Sequence, residues 1–184
     1  MPAPTTNLYG LHDTVAVLNA LQAALQAVQW NNAPAFDKVD FFDMSDLLKA
    51  LQEVFNFANR VCVIIHDREH FESEKKGNEL HVRQTRTVGL IIADRNIGNR
   101  KFALMGGDPQ NKTAGALSLK DAVLNGIIGL LPGQPGILVK PDTGEQMLIQ
   151  AKVRDELQGR VAFTLQFTLE GGNAIFPIGR QPIV

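Results

Sequence analysis

The stretch RVAFTLQFTLE, residues 160–170, alternates without a break. Val161, Phe163, Leu165, Phe167 and Leu169 fall on one side; Thr164, Gln166 and Thr168 fall on the other. This is the period of a strand with one face on a core. Burial of five such side chains contributes roughly 1.5–3 kcal/mol each, so this strand anchors the core by its apolar face alone.

Other segments supply neighbours. RVCVII (60–65) places five apolar residues in a row after an arginine and predicts a central strand covered on both faces. Cys62 lies inside this run and reads as a small core residue; as the only cysteine it excludes an internal disulfide and any multi-cysteine metal framework. A long strand is expected from Leu80, with Val82, Val88, Leu90 and Ile92 on one face and Arg83, Thr85 and Thr87 on the other. KVDFF and MLIQAKV predict further strands, and KFALM is expected to return as a strand after the turn-like DRNIGNR.

Three helices are predicted. The first covers 11–30, with Leu11, Val15, Leu18, Leu21, Leu25 and Val28 as its apolar stripe, and the segment NNAPAF ends it. The second covers 45–58 and opens at DMSD, where Asp43 or Ser45 can cap it. The third lies in SLKDAVLNGIIGLL, where Ser118 and Asp121 stand at capping-box spacing and Leu119, Ala122, Val123, Ile127 and Leu130 point inward. Gly126 and Gly129 each cost such a helix about 1 kcal/mol, which close packing against the sheet is expected to offset. The order of elements predicts an α+β fold: two layers, a mixed or mainly antiparallel sheet with helices on one face. Residues 1–172 read as one domain and 173–184 as an extended C-terminal arm carrying Ile175, Phe176, Ile178 and Ile183.

The chain is 45% apolar and 20% charged, with a net charge of −1, which argues against a broad nucleic-acid footprint. No apolar run reaches the length of a membrane span, and MPAPTTN lacks the charged and apolar regions of a signal peptide, so a reducing cytoplasm is the expected place of synthesis.

Two motifs approach known chemistry. His66, Glu69 and His70 read H-x-x-E-H, the order of ligands and base in one group of zinc peptidases. That chemistry needs helical spacing, whereas His66 continues a buried strand and residues 67–79, charged with both signs mixed, predict a solvated loop. GGDPQNKT keeps the P-loop spacing of Gly106, Lys112 and Thr113, but Asn111 replaces the glycine that lets backbone wrap a phosphate. Asp94, ending GLIIAD, resembles the acidic strand that holds magnesium, as does any buried strand ending in aspartate. There is no G-x-S-x-G and no catalytic cysteine setting, and His12, His66, His70 and His81 are scattered. No catalytic residue, cofactor or metal ligand is assigned.

NRVCVIIHD, TRTVGLIIADR, SLKDAVLNGIIGLLPG and GRVAFTLQFTLEG, in this order, resemble the tail-terminator or tail-completion proteins of tailed bacteriophages, including small tail proteins of Mu-like phages. The resemblance spans residues 45–172, and the long first helix and Pro/Gly-rich arm depart from it. It implies a non-enzymatic virion protein that caps the tail tube as a ring, expected to be a hexamer, stops tube polymerisation and joins the tail to the head or neck. Its implied partners are further copies of itself, the tail tube protein, a neck or head-completion protein and a sheath protein. DNA would only pass through the lumen, and no membrane is involved. Arg68, Lys75, Lys76, Arg95, Arg100, Lys101, Phe176, Ile178 and Arg180 are the candidate assembly contacts. A neck or head-completion protein is the alternative within the structural class; a metal- or nucleotide-dependent hydrolase is the alternative from the enzyme class.

Overall fold

The computed structural model describes residues 11–42, 58–95, 100–106, 113–142 and 160–178. The expected helix over 45–58 (apart from Ala58), the strand MLIQAKV, and Asn111, Lys112 and Arg180 lie outside these residues. The described fold is α+β. Helix α1 (Thr14–Gln26) leads into a two-residue strand pair, β1 (Gln29–Trp30) and β2 (Ala33–Pro34). Strand β3 (Lys38–Phe42) and the long strands β4 (Val61–Lys76) and β5 (Glu79–Arg95) follow. Then come α2 (Arg100–Met105), α3 (Ala116–Ile127), β6 (Gly129–Leu130), β7 (Leu138–Pro141) and β8 (Arg160–Pro177).

Six strands form one mixed sheet in the order β3-β4-β5-β8-β7-β6. Only β3 and β4 run parallel; the other pairs are antiparallel. The five alternating residues of β8 are all buried, as their period requires. Leu165, Phe167 and Leu169 join Cys62, Ile64, Val88, Leu90 and Ile92 of the neighbouring strands in the main core, beneath Val17, Leu21 and Leu25 of α1 and Leu119, Val123 and Ile127 of α3, while Val161 and Phe163 belong to a smaller cluster beside it. On the opposite face Val61, Val63, Ile91, Ala93 and Ala162 form a smaller buried cluster with Phe42 and Ala58 packed on it. The apolar run of β4 is thus covered on both sides, which is why it shows no alternation. The Cys62 thiol is fully buried, which pushes its pKa well up and makes it inert.

Several expectations are corrected. Helix α1 is shorter than 11–30, because Asn31 and Asn32 adopt φ of 50° and 61° and turn the chain back to pair β1 with β2. Its buried stripe is Val17, Leu21 and Leu25, spaced by four, which leaves Val15 64% exposed. KFALM lies within α2 instead of a strand; one side of that helix buries Ala103 in a cluster with Ala116, Val161 and Phe163.

Helix α3 begins at Ala116, so Ser118 lies inside it and makes no cap. Asp94 takes the capping role from the sheet: its Oδ2 accepts the Gly115 N–H at 2.7 Å and fixes where the helix starts. Gly115 itself, at φ +84°, passes so close to the Met105–Gly106 backbone that a Cβ there would collide with main-chain atoms. Gly126 packs against Val28, 3.0 Å from its Cγ2 to an added Cβ, and not against the sheet. Gly129 lies beyond the helix at φ +116°, and Leu130 is 74% exposed in β6.

The largest correction concerns residues 67–79, expected as a loop. They continue β4 to Lys76, turn through Gly77 and Asn78, and return in β5. Gly77 takes φ +61°, the left-handed value that a two-residue hairpin turn demands. A strand wetted on both faces has little apolar alternation to betray it. Likewise residues 173–177, placed in the arm, continue β8 against Glu79–Arg83. The pleat resets where Gly172, at φ +77°, is bulged out between the pairs Arg83–Asn173 and Gln84–Gly171.

Candidate functional site

The register divides the sheet into two parts. Near Val61, Arg95 and Arg160 the strands lie under the helices; from Glu69 onward β4, β5 and the end of β8 run past that cover as a three-stranded extension. Its face on the helical side carries Phe71, Leu80, Val82, Ala174 and Phe176; cross-strand pairing puts Phe71 beside Gln84, Val82 beside Ala174 and Leu80 beside Phe176. Phe71 is 50% and Phe176 42% exposed. The other face carries His70, Glu72, Glu74, Lys76, His81 and Arg83, and encloses a shallow polar concavity of about 630 Å³ between Glu72, His81, Arg83 and Ile175.

At the root of the extension the start of α1 is clamped to the sheet. Arg86 is fully buried; its Nε donates to Thr14 Oγ1 at 3.1 Å and lies 3.0 Å from Glu69 Oε1, while Nη2 donates to the His12 carbonyl at 2.6 Å. Glu69 Oε1 also accepts from Thr14 Oγ1 at 2.8 Å and Gln84 Nε2 at 2.5 Å, and Gln84 Oε1 accepts the His12 N–H at 3.0 Å. Burial alone would raise the Glu69 pKa, but the Thr14 and Gln84 hydrogen bonds and the Arg86 charge hold its carboxyl below the usual range. Burial lowers the pKa of Arg86, with partial compensation from Glu69 and Asp13. A Cβ at Gly172 would meet Gln84 Oε1, so the bulge glycine makes room for this clamp.

The H-x-x-E-H string is resolved by a bulge. His66 pairs with Val88 and Arg68 with Thr87, leaving Asp67 unpaired, so the alternation flips there. His66 and Glu69 therefore share the helical side, opposite Val88 and Arg86, while His70 faces away opposite Thr85. The two histidines lie on opposite faces of the sheet, and Glu69 is committed to Arg86. Among the described residues, no three His, Cys, Asp or Glu side chains gather as a metal site requires. Gly106 of the P-loop-like string closes α2, its N–H donating to the Phe102 carbonyl at 2.7 Å. Asp94 is buried, and burial raises its pKa despite the backbone N–H groups of Gly115 and Arg95 that it accepts.

Of the eight candidate contact residues that are described, seven fall into two groups at opposite ends of β5. Lys75, Lys76, Phe176 and Ile178 meet at the hairpin tip: Lys75 and Phe176 both flank Leu80, Lys76 bonds Glu74 at 3.0 Å, and the Ile178 N–H donates to the Asn78 carbonyl at 2.8 Å. Arg68 sits at the bulge, exposed and 3.4 Å from Asp67. Arg95, Arg100 and Lys101 lie at the far end, roughly 50 Å of strand away, so the described candidates do not form one patch. Phe71, Leu80, Val82 and the Arg86 clamp are absent from that set. The signal for the clamp was present: Gln84 and Arg86 are polar residues in phase with Val82, Val88, Leu90 and Ile92.

No protein-family model matches the chain, and no curated protein matches it. Among solved structures, a chain from the virion of a native gene transfer agent particle matches, with a TM-score of 0.40 and 9% identity over 93% of this chain and 98% of the other. A likeness of that size carries no function across. No described helix is long and apolar enough to cross a membrane.

Proposed function

We propose that the protein is a structural component of a phage-like virion, a tail terminator that assembles as a ring on the end of the tail tube, halts its polymerisation and presents a surface to the neck. The observation that carries this reading is the three-stranded extension. It is held rigidly by backbone pairing and the Arg86 clamp, yet leaves Phe71 and Phe176 about half exposed on one face and charged side chains on the other. Such a surface suits contact with protein on one side and water on the other. A polar face of this kind also suits a lumen through which DNA passes without being gripped.

The test is to purify the chain and measure its mass alone and with isolated tail tubes. The expected result is a closed oligomer, or a monomer that becomes one on the tube end. A monomer that binds neither tube nor neck proteins would overturn the reading. Because some rings close only on a template, the arm with tail tubes is decisive.

A further inference from the structure

The extension has two strand edges. β3 covers β4 only as far as Ile65, and β7 covers β8 only between Phe167 and Glu170. Among the described residues, 66–76 on one side and 171–177 on the other have no further strand beside them. An uncovered edge is a row of backbone donors and acceptors that pairs readily unless it is guarded. The β4 edge carries charges of both signs, but the β8 edge reads GGNAIFP, has no charge, and exposes Ile175 and Phe176.

We propose that these edges join copies of this chain head to tail, β8 of one copy against β4 of the next. Three features favour a second copy as the occupant. The edges stand level, because β5 pairs Arg83 with both Glu72 and Asn173, and Glu79 with both Lys76 and Pro177. Beyond the two bulges the level stretches are of equal length, 72–76 against 173–177. They also run in the same direction, since each is antiparallel to β5, so a rotation about an axis along the strands brings β8 beside β4 in parallel pairing. Such a contact uses different surfaces on the two partners and repeats until it closes into a ring. Six copies would contribute roughly eighteen strands, in the range where barrels enclose an open channel. The inference deepens the ring reading above and rests on it.

Cysteine cross-linking tests it. Within one chain Glu72 and Asn173 flank β5, roughly 10 Å apart, beyond the ~7 Å that a disulfide spans, so a bond between cysteines at these positions must join two chains. Native Cys62 is buried and does not compete. Single variants Asn173→Cys, His70→Cys, Glu72→Cys and Glu74→Cys, the last three covering a stagger of two residues either way, are oxidised alone, in mixtures and as doubles in full-length protein with tail tubes present. The expected result is dimers from a mixture of Asn173→Cys with one β4 variant, a ladder up to the ring number from the corresponding double, and no dimer from any single variant. Dimers from single variants would show like edges pairing and overturn the proposal. An oligomer on tubes with no cross-link in any combination would overturn edge pairing while leaving the ring reading intact. A chain that stays monomeric and never binds tubes would overturn both.

Discussion

The two ends of the same three strands differ in what they do. Under the helices, β4, β5 and β8 bury Ile64, Leu90 and Phe167 completely; beyond Glu69 the same strands expose Phe71 and Phe176. Backbone pairing is continuous through both regions apart from the bulges at Asp67 and Gly172, so hydrogen bonding does not distinguish them. The difference is cover. Side chains at the base are matched by α1 and α3, whereas those of the extension have apolar area without a described layer over it. The base holds the fold, and the extension presents half-exposed aromatic side chains.

That contrast can be broken first at the base. Phe167→Ala removes a fully buried ring from the main core and is expected to cost about 3–5 kcal/mol in chemical denaturation. At the boundary, Arg86→Ala leaves Glu69 without its ionic partner in a partly buried setting, with a loss on the order of 3 kcal/mol. The double change Arg86→Met with Glu69→Leu is expected to recover only part of this: neither charge is then left unpaired, but Thr14, Gln84 and the His12 carbonyl lose their partners.

Acid sharpens the same boundary. The folded pKa of Glu69 lies below its ordinary value of 4.5, so its contribution is full above that value and is lost as pH falls through the folded pKa. Glu69→Gln is expected to be less stable at neutral pH, with the gap closing in acid. Asp94 acts in the opposite sense: its raised folded pKa makes its contribution fullest below its ordinary value of 3.8, and this is lost as pH rises through the folded value. Denaturation of wild type and Glu69→Gln between pH 2 and 7 separates these trends. At the extension the effects are smallest. Arg83→Ala breaks a 3.0 Å pair with Glu170, which also holds Lys140 at the surface, and is expected to cost roughly 0–1 kcal/mol.

The same division explains what the sequence could disclose. Val161, Phe163, Leu165, Phe167 and Leu169 announced a strand because one face of β8 is buried and the other is not. The extension was hidden because its alternation is one of mixed charges against scattered apolar residues, and because the bulges at Asp67 and Gly172 shift the period partway along. Ser118 and Asp121 had the spacing of a cap, but Asp94, remote in sequence, took that position through the sheet. In the candidate site, Phe176 and Lys75 were legible as exposed chemistry in the sequence. Their convergence at the hairpin tip depended on the register of β5, which no local pattern encodes.

The proposed role of the extension is assembly and not stability. The direct measurement is the double variant Phe71→Ser with Phe176→Ser, compared with wild type for thermal unfolding and for sedimentation with tail tubes. The expected result is a midpoint within a few degrees of wild type and loss of tube-bound oligomer. Retention of wild-type assembly, or a collapse of stability like that of Phe167→Ala, would contradict it.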